Sequence, residues 1–147
     1  MPRHFSEAER QDFLARKHVA VLSVAATDDR PPASVPMWYD YTPGGNIRFS
    51  TGGSGRKAEL IEKAGVVTLV VQNEDPPYQY VIVEGTVVDI ASPAPRQARE
   101  DIAVRYLGAR AGREFVHNID QTDTARFNTL YSIRPDRWFT ADYSDES

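Results

Sequence analysis

Two periods of hydrophobicity alternate along the chain, and the places where one gives way to the other mark its elements. Ser6-Glu7-Ala8-Glu9 has the form of a capping box, a hydroxyl followed three positions on by a carboxylate. A short amphipathic helix is therefore predicted to about Lys17, with Phe13 and Leu14 turned inward. From His18 to Ala26 the pattern changes to the β-branched and small apolar run of a strand. Thr27-Asp28-Asp29-Arg30 makes a turn, and Ala33 to Tyr41 reads as a second strand interrupted by Pro36. A proline cannot donate to a central ladder, so Pro36 implies an edge, a bulge or a ligand-facing stretch. Pro43-Gly44-Gly45-Asn46 is a turn and Ile47 to Thr51 a third strand. With links this short, the three strands are expected to form an antiparallel meander.

Beyond a glycine-rich loop, Arg56 to Ala64 is one short helix with Leu60 and Ile61 inward, and Val66 to Gln72 is a strand. Tyr78 to Ile90 is a long strand in which Gly85 marks a bulge or sharp bend, as closed sheets need at corners. Ser92-Pro93-Ala94-Pro95 precedes a helix from about Arg96 to Leu107, stopped at Gly108. Ala109 to Ala125 reads as one or two helical turns. Phe127 to Arg134 and Trp138 to Tyr143 read as a last pair of strands around Pro135-Asp136, before a frayed acidic tail from Asp142 to Ser147. That makes about seven strands and three or four short helices, with hairpins rather than regular βα alternation. The expected fold is mainly β (α+β): an antiparallel barrel decorated by helices.

Composition narrows the function. A length of 147 residues fits a single domain spanning 1–147 with a real core. The net charge of -4 supplies no basic field, which argues against a nucleic-acid partner. Lysine is confined to Lys17, Lys57 and Lys63 while arginine is common, so Lys57 is not one cation of a lysine-studded surface. Without cysteine there is no disulfide, thiolate nucleophile or sulfur-ligated metal. No apolar run approaches the roughly 20 residues of a membrane span, and no signal peptide opens the chain. A soluble, cytoplasmic protein without membrane contact is expected.

The sharpest chemical signal lies between Arg48 and Lys57, Arg-Phe-Ser-Thr-Gly-Gly-Ser-Gly-Arg-Lys. A strand runs into glycines, and two adjacent cations, Arg56 and Lys57, stand where a helix begins. Free N–H groups at a helix start favour an anion, glycines let a ligand approach the main chain, and the cations add charge-assisted hydrogen bonds. That is a phosphate site. A plain loop with solvated cations accounts for the same residues, and at this level both readings stand. Gly53, Gly55 and Ala58 also fit the dinucleotide fingerprint, but the chain offers no repeated βαβ units to build its sheet. A Walker loop fails because Ala58 follows Lys57.

Met37-Trp38-Tyr39-Asp40-Tyr41 is bulky on both faces of its strand, which suggests a surface covered by a ligand or a second subunit. Tyr78 and Tyr80 share one face of theirs and could wall a planar ring, close an interface or join the core. His4, His18 and His117 lack metal-ligand spacing, and no metal site is expected. No nucleophile elbow or paired-acid pattern singles out a catalytic residue; if the protein is an enzyme, a cofactor carries the chemistry.

Taken in order, these pieces resemble the pyridoxamine 5'-phosphate oxidase-like superfamily of split β-barrels. They look most like its branch that uses the deazaflavin coenzyme F-420. The resemblance runs from Phe5-Ser-Glu-Ala-Glu9 through Val19-Ala-Val-Leu-Ser-Val24, Arg30-Pro31 and Pro36-Met-Trp-Tyr39. It continues with Ile47-Arg-Phe-Ser-Thr51, Arg56-Lys57 and Val83-Glu-Gly-Thr86, and ends at Arg134-Pro-Asp-Arg-Trp138.

The resemblance implies a homodimer with the cofactor at the subunit interface. Lys57 with Arg56 would hold the cofactor phosphate, assisted by Ser50 and Thr51. Pro36, Met37 and Trp38 would present backbone and side chains to the ring, and Tyr78 and Tyr80 would approach across the interface. It further implies an oxidoreductase that passes hydride from reduced F-420 to a small unsaturated, electron-poor substrate. An FMN-binding reductase or oxidase on the same barrel is one alternative. A non-catalytic module holding a flavin or tetrapyrrole-like ligand is the other. Lys63-Ala-Gly-Val-Val67 departs from the Asp-Pro-Arg turn of many relatives. The Arg-Leu-x-Pro ending of true vitamin B6 oxidases is also missing, which speaks against pyridoxamine phosphate as substrate.

Overall fold

The computed structural model describes residues 1–123 and 127–144. In chain order the elements are α1 (Glu7–Ala15), β1 (Ala20–Val24), β2 (Ala33–Met37), β3 (Asp40–Tyr41), β4 (Ile47–Thr51) and α2 (Arg56–Ala64). There follow β5 (Val66–Gln72), β6 (Gln79–Ala91), α3 (Arg96–Leu107), α4 (Ala109–Thr122) and β7 (Thr129–Asp142). The capping box forms as expected: the Glu9 N–H donates to Ser6 Oγ at 3.2 Å and the Ser6 N–H to Glu9 Oε1 at 2.9 Å.

The strands make one antiparallel sheet in the order β2-β1-β5-β6-β7-β4-β3. The expected second strand divides in two, β2 pairing antiparallel with β1 and β3 antiparallel with β4. The expected pairings thus form but not as one continuous meander, and β4 pairs with β7 on its other side. Pro36 lies on the edge strand β2, where a missing donor costs no ladder bond. Met37 ends β2 and Asp40 begins β3, yet these strands stand at opposite ends of the ladder. Three residue steps reach at most about 11 Å, so the sheet must roll until its edges nearly meet. The result is a barrel split along the β2/β3 seam. The strand breaks at residues 38–39 rather than at Pro36, because Tyr39 is pulled into the core and its Oη donates to the Leu14 carbonyl at 2.6 Å.

Gly85 does sit at a bulge. Opposite it β7 skips one residue, Asp136, and a Cβ at Gly85 would lie 2.8 Å from the Arg134 carbonyl oxygen. This bulge is why Pro135-Asp136 does not end a strand. The expected final pair is one continuous strand, β7, whose β4 ladder stops at Ile133 and whose β6 ladder shifts register there. The segment after Gly108 is likewise longer than one or two turns: α4 runs for 14 residues. Gly112 is where α4 crosses α3, since a Cβ there would lie 2.6 Å from Val104 Cα. Residues 124–125 of that expected segment, and 145–147 of the expected frayed tail, lie outside the described residues.

The barrel interior is filled by Phe13 and Leu14 of α1 together with Leu22, Ile47, Phe49, Leu69, Val71, Val81, Val83 and Ile133. A second, smaller cluster, Ala94, Ala98, Ile102 and Leu130, lies under the α3–α4 hairpin.

Candidate functional site

A cavity of about 530 Å³ opens where the end of the barrel meets the α3–α4 hairpin. That volume lies in the range of small-molecule pockets. Its barrel wall is Val35, Pro36, Met37 and Trp38 at the end of β2, with Ser50, Thr51 and Gly52 at the end of β4. Its helical wall is Ile102 and Ala103 of α3 with Phe115, Val116 and Ile119 of α4. Phe127 completes an apolar lining into which two cations reach, Lys57 from α2 and Arg99 from α3.

Lys57 is half-buried in the first turn of α2, and its Nζ donates to Thr51 Oγ1 at 2.6 Å. Burial, with no carboxylate among the described residues opposing it, holds its pKa below the ordinary lysine value. A cation taken from water without a counter-charge is poised for an anion. Arg56 turns elsewhere, donating to the Pro31 carbonyl at 3.2 Å, and does not line the cavity. Of the residues singled out from sequence, the cavity brings together Pro36, Met37, Trp38, Ser50, Thr51 and Lys57. Tyr78 and Tyr80 lie outside it, in a tyrosine cluster with ring centroids 5.8 Å apart and Tyr78 stacked on Tyr143 at 5.6 Å.

Trp38 lines the cavity but already has neighbours. Its ring stacks on Tyr106 with centroids 4.8 Å apart and planes at 8°, and Phe115 leans on it at 5.7 Å. Tyr106 is a junction in turn: its hydroxyl donates to the His18 carbonyl at 2.5 Å and accepts from the Tyr39 N–H at 3.1 Å. The adjacent Arg105 guanidinium donates to Ala15 O at 2.7 Å, to Leu14 O at 3.4 Å and to Arg16 O, capping the last carbonyls of α1. These contacts fasten the helical wall to the barrel.

The helical wall and Arg99 escaped the sequence reading. Arg99 donates through Nη1 to Asp120 Oδ1 at 2.7 Å and through Nη2 to Oδ2 at 3.4 Å, and its side chain is 14% exposed. The signal available was the helical spacing of Arg99, Ile102 and Ala103 and of Phe115, Val116 and Ile119, which places each set on one face. Among the described residues no group of His, Asp or Glu is placed to hold a metal ion, and no helix is long and apolar enough to cross a membrane.

A family profile described as pyridoxamine 5'-phosphate oxidase matches residues 6–140. The chain belongs to that family. The resemblance seen in the sequence is thereby shown, and the fold agrees with solved members. An F-420 reductase superposes with a TM-score of 0.63 at 24% identity, over 88% of this chain and 94% of that one. A conserved hypothetical protein from Mycobacterium tuberculosis gives a TM-score of 0.73 at 23% identity, over 95% of this chain and 86% of that one. An FAD-binding protein from Mesorhizobium loti gives 0.63 at 17% identity, over 97% and 96%. At such identities the likeness is one of fold. A search of curated proteins found no match.

Proposed function

We propose that the protein is an oxidoreductase that binds coenzyme F-420 in this cavity and acts on a small, unsaturated, electron-poor organic substrate. The observation that carries the proposal is Lys57, a half-buried ammonium with no carboxylate partner among the described residues, set at a helix start on the rim of an aromatic and apolar cavity. Lys57, the Thr51 and Ser50 hydroxyls and the free N–H groups of the first turn of α2 make a donor set that suits a phosphate. Pro36, Met37 and Trp38 would position a planar ring against the helical wall. The bound deazaflavin supplies the hydride carrier. The chain supplies orientation and exclusion of water, through the apolar faces of β2, α3 and α4. The preference for F-420 is supported by the sequence resemblance and by likeness of fold to an F-420 reductase. The FAD-binding neighbour supports the second reading, FMN or another flavin in the same cavity.

A second copy of the chain belongs to the proposal. The strand register aligns Pro36, Val21, Val70, Ile82 and Phe139 in one row across the outer face of five strands. Val21 is 40% and Phe139 49% exposed. Such a row favours burial against another subunit, and Tyr80 stands in the next row, opposite Gln72 and Ala141. In a dimer built on this face, the partner's Tyr78 and the partner's Tyr80 would approach the ring.

The test is Lys57→Ala. Loss of a charged hydrogen bond of about 1.5–3 kcal/mol should weaken F-420 binding roughly ten- to a hundredfold. Unchanged affinity in the variant would remove Lys57 from the site.

A further inference from the structure

Among the described residues two cations line the cavity, and the proposed cofactor phosphate occupies only one of them. We infer that Arg99 is a second anion-binding group, one that selects a planar substrate bearing a carboxylate. The inference rests on the reading above only in giving Lys57 to the cofactor.

Three observations carry it. Arg99 lines the same cavity as Lys57 but enters from α3, on the wall formed by Ile102, Ala103, Val116 and Ile119. Its carboxylate partner engages only the Nη1/Nη2 end of the guanidinium, while Nε is buried and has no hydrogen-bond partner among the described residues. A guanidinium has five donors in a fixed fork, and an end-on carboxylate leaves its Nε/Nη2 edge free for a second two-oxygen acceptor. Finally, Asp120 does not cancel the charge of Arg99 alone, because it also accepts from Arg96 Nη1 at 2.9 Å. Both guanidiniums meet on Asp120, although Arg96 Nε also donates to Glu100 Oε1 at 3.0 Å. The pKa of Asp120 is held below the usual range, the Arg99 hydrogen bond contributing most.

The donor chemistry favours a carboxylate because an Nε/Nη2 edge has two parallel N–H groups, which match two oxygens in one plane. The surrounding residues favour a flat, apolar body: Trp38 and Phe115 lie in the lining together with aliphatic side chains of both helices. Substrate and cofactor would then be anchored by different cations, Arg99 and Lys57, and meet between them.

The probes are 2-naphthoate and its uncharged carboxamide, titrated into the protein with and without saturating F-420. The carboxylate should bind about ten- to a hundredfold more tightly than the amide, the effect of one charged hydrogen-bond pair. F-420 should not displace it. Arg99→Met should erase the preference and Lys57→Ala should retain it. Asp120→Asn, which keeps the guanidinium and removes its internal partner, should strengthen the preference and serves if Arg99→Met fails to fold. Equal affinity of the two probes for the unaltered protein would overturn the inference. So would competition between naphthoate and F-420, or a preference lost in Lys57→Ala and kept in Arg99→Met. If F-420 does not bind while an Arg99-dependent preference remains, the cofactor reading fails and the anion site stands.

Discussion

The barrel and the helical hairpin face each other across the cavity, and they are held in place by different physics. The barrel encloses Phe13, Leu22, Phe49, Leu69, Val83 and Ile133, each at 1% exposure or less, inside a ladder of seven strands. The hairpin buries only small or medium residues, Ala98, Ile102, Ala103, Val116 and Ile119. It is fastened to the barrel by a few directional contacts, the Arg105 cap on α1 and the Tyr106 junction. One wall of the site is therefore backed by a deep apolar core, and the other by a small apolar cluster around Leu130, a handful of polar bonds and the stack on Trp38. Elements with little buried apolar surface open at lower free energy than the core does. The cavity joins a stiff wall to a more yielding one.

The comparison breaks most visibly in the barrel. Phe49→Ala removes a fully buried ring stacked on Tyr131 at 5.2 Å. It should cost about 3–5 kcal/mol, read by chemical denaturation, and should destabilise both walls together. Arg105→Met should cost less, about 1.5–3 kcal/mol, and act locally. Hydrogen exchange should quicken in α3, α4 and the end of α1 while β5 and β6 stay protected. Equal acceleration in the barrel strands would erase the distinction drawn here.

A smaller effect concerns charge at the stiff wall. The pKa of Lys57 lies below its ordinary 10.5 because the group is partly desolvated, so free protein loses this proton earlier than an exposed lysine would. Anion binding needs the protonated form. Affinity for F-420 should thus be level near neutral pH and fall as pH rises through the depressed pKa, with Lys57→Arg flat over the same range. Smallest is the acid response of the N-terminal arm. Arg3 bridges Glu9 at 2.9 Å and Asp142 at 2.7 Å. Both carboxyls have pKa values lowered to about 2, Glu9 chiefly by its bond to Arg3 and Asp142 chiefly by Ser144. Groups depressed in the folded state stabilise it above their ordinary values, 4.5 and 3.8, and that contribution is lost as pH falls toward 2. The amide of Arg3, bonded to the Asp142 carbonyl at 3.0 Å, should lose exchange protection over that window before the barrel does.

The stiff wall was also the legible one. The capping box at Ser6, the helix from Arg56 to Ala64, the bulge at Gly85 and the edge position of Pro36 follow from rules that act over a few residues. So does the loop that delivers Lys57. The barrel itself was expected, but the order of its strands was not legible, because it depends on which distant strands pair. The continuity of β7 through Pro135 was hidden for a related reason: the bulge that permits it is matched by Gly85, far away in the chain. On the yielding wall, Gly112 acts as a crossing point because Val104 lies against it, a contact that local sequence does not reveal. Arg99 and Arg105 look like ordinary surface cations until the fold brings them to Asp120 and to the end of α1.

The central claim is that the cavity between these walls holds a deazaflavin by its phosphate. It is tested most directly by parallel fluorescence-quenching titrations of the purified protein with F-420 and FMN. The account expects saturable F-420 binding at about micromolar affinity or better, and clearly weaker binding of FMN. Binding of neither cofactor would contradict it and remove Lys57 and its cavity from any role in holding a flavin phosphate.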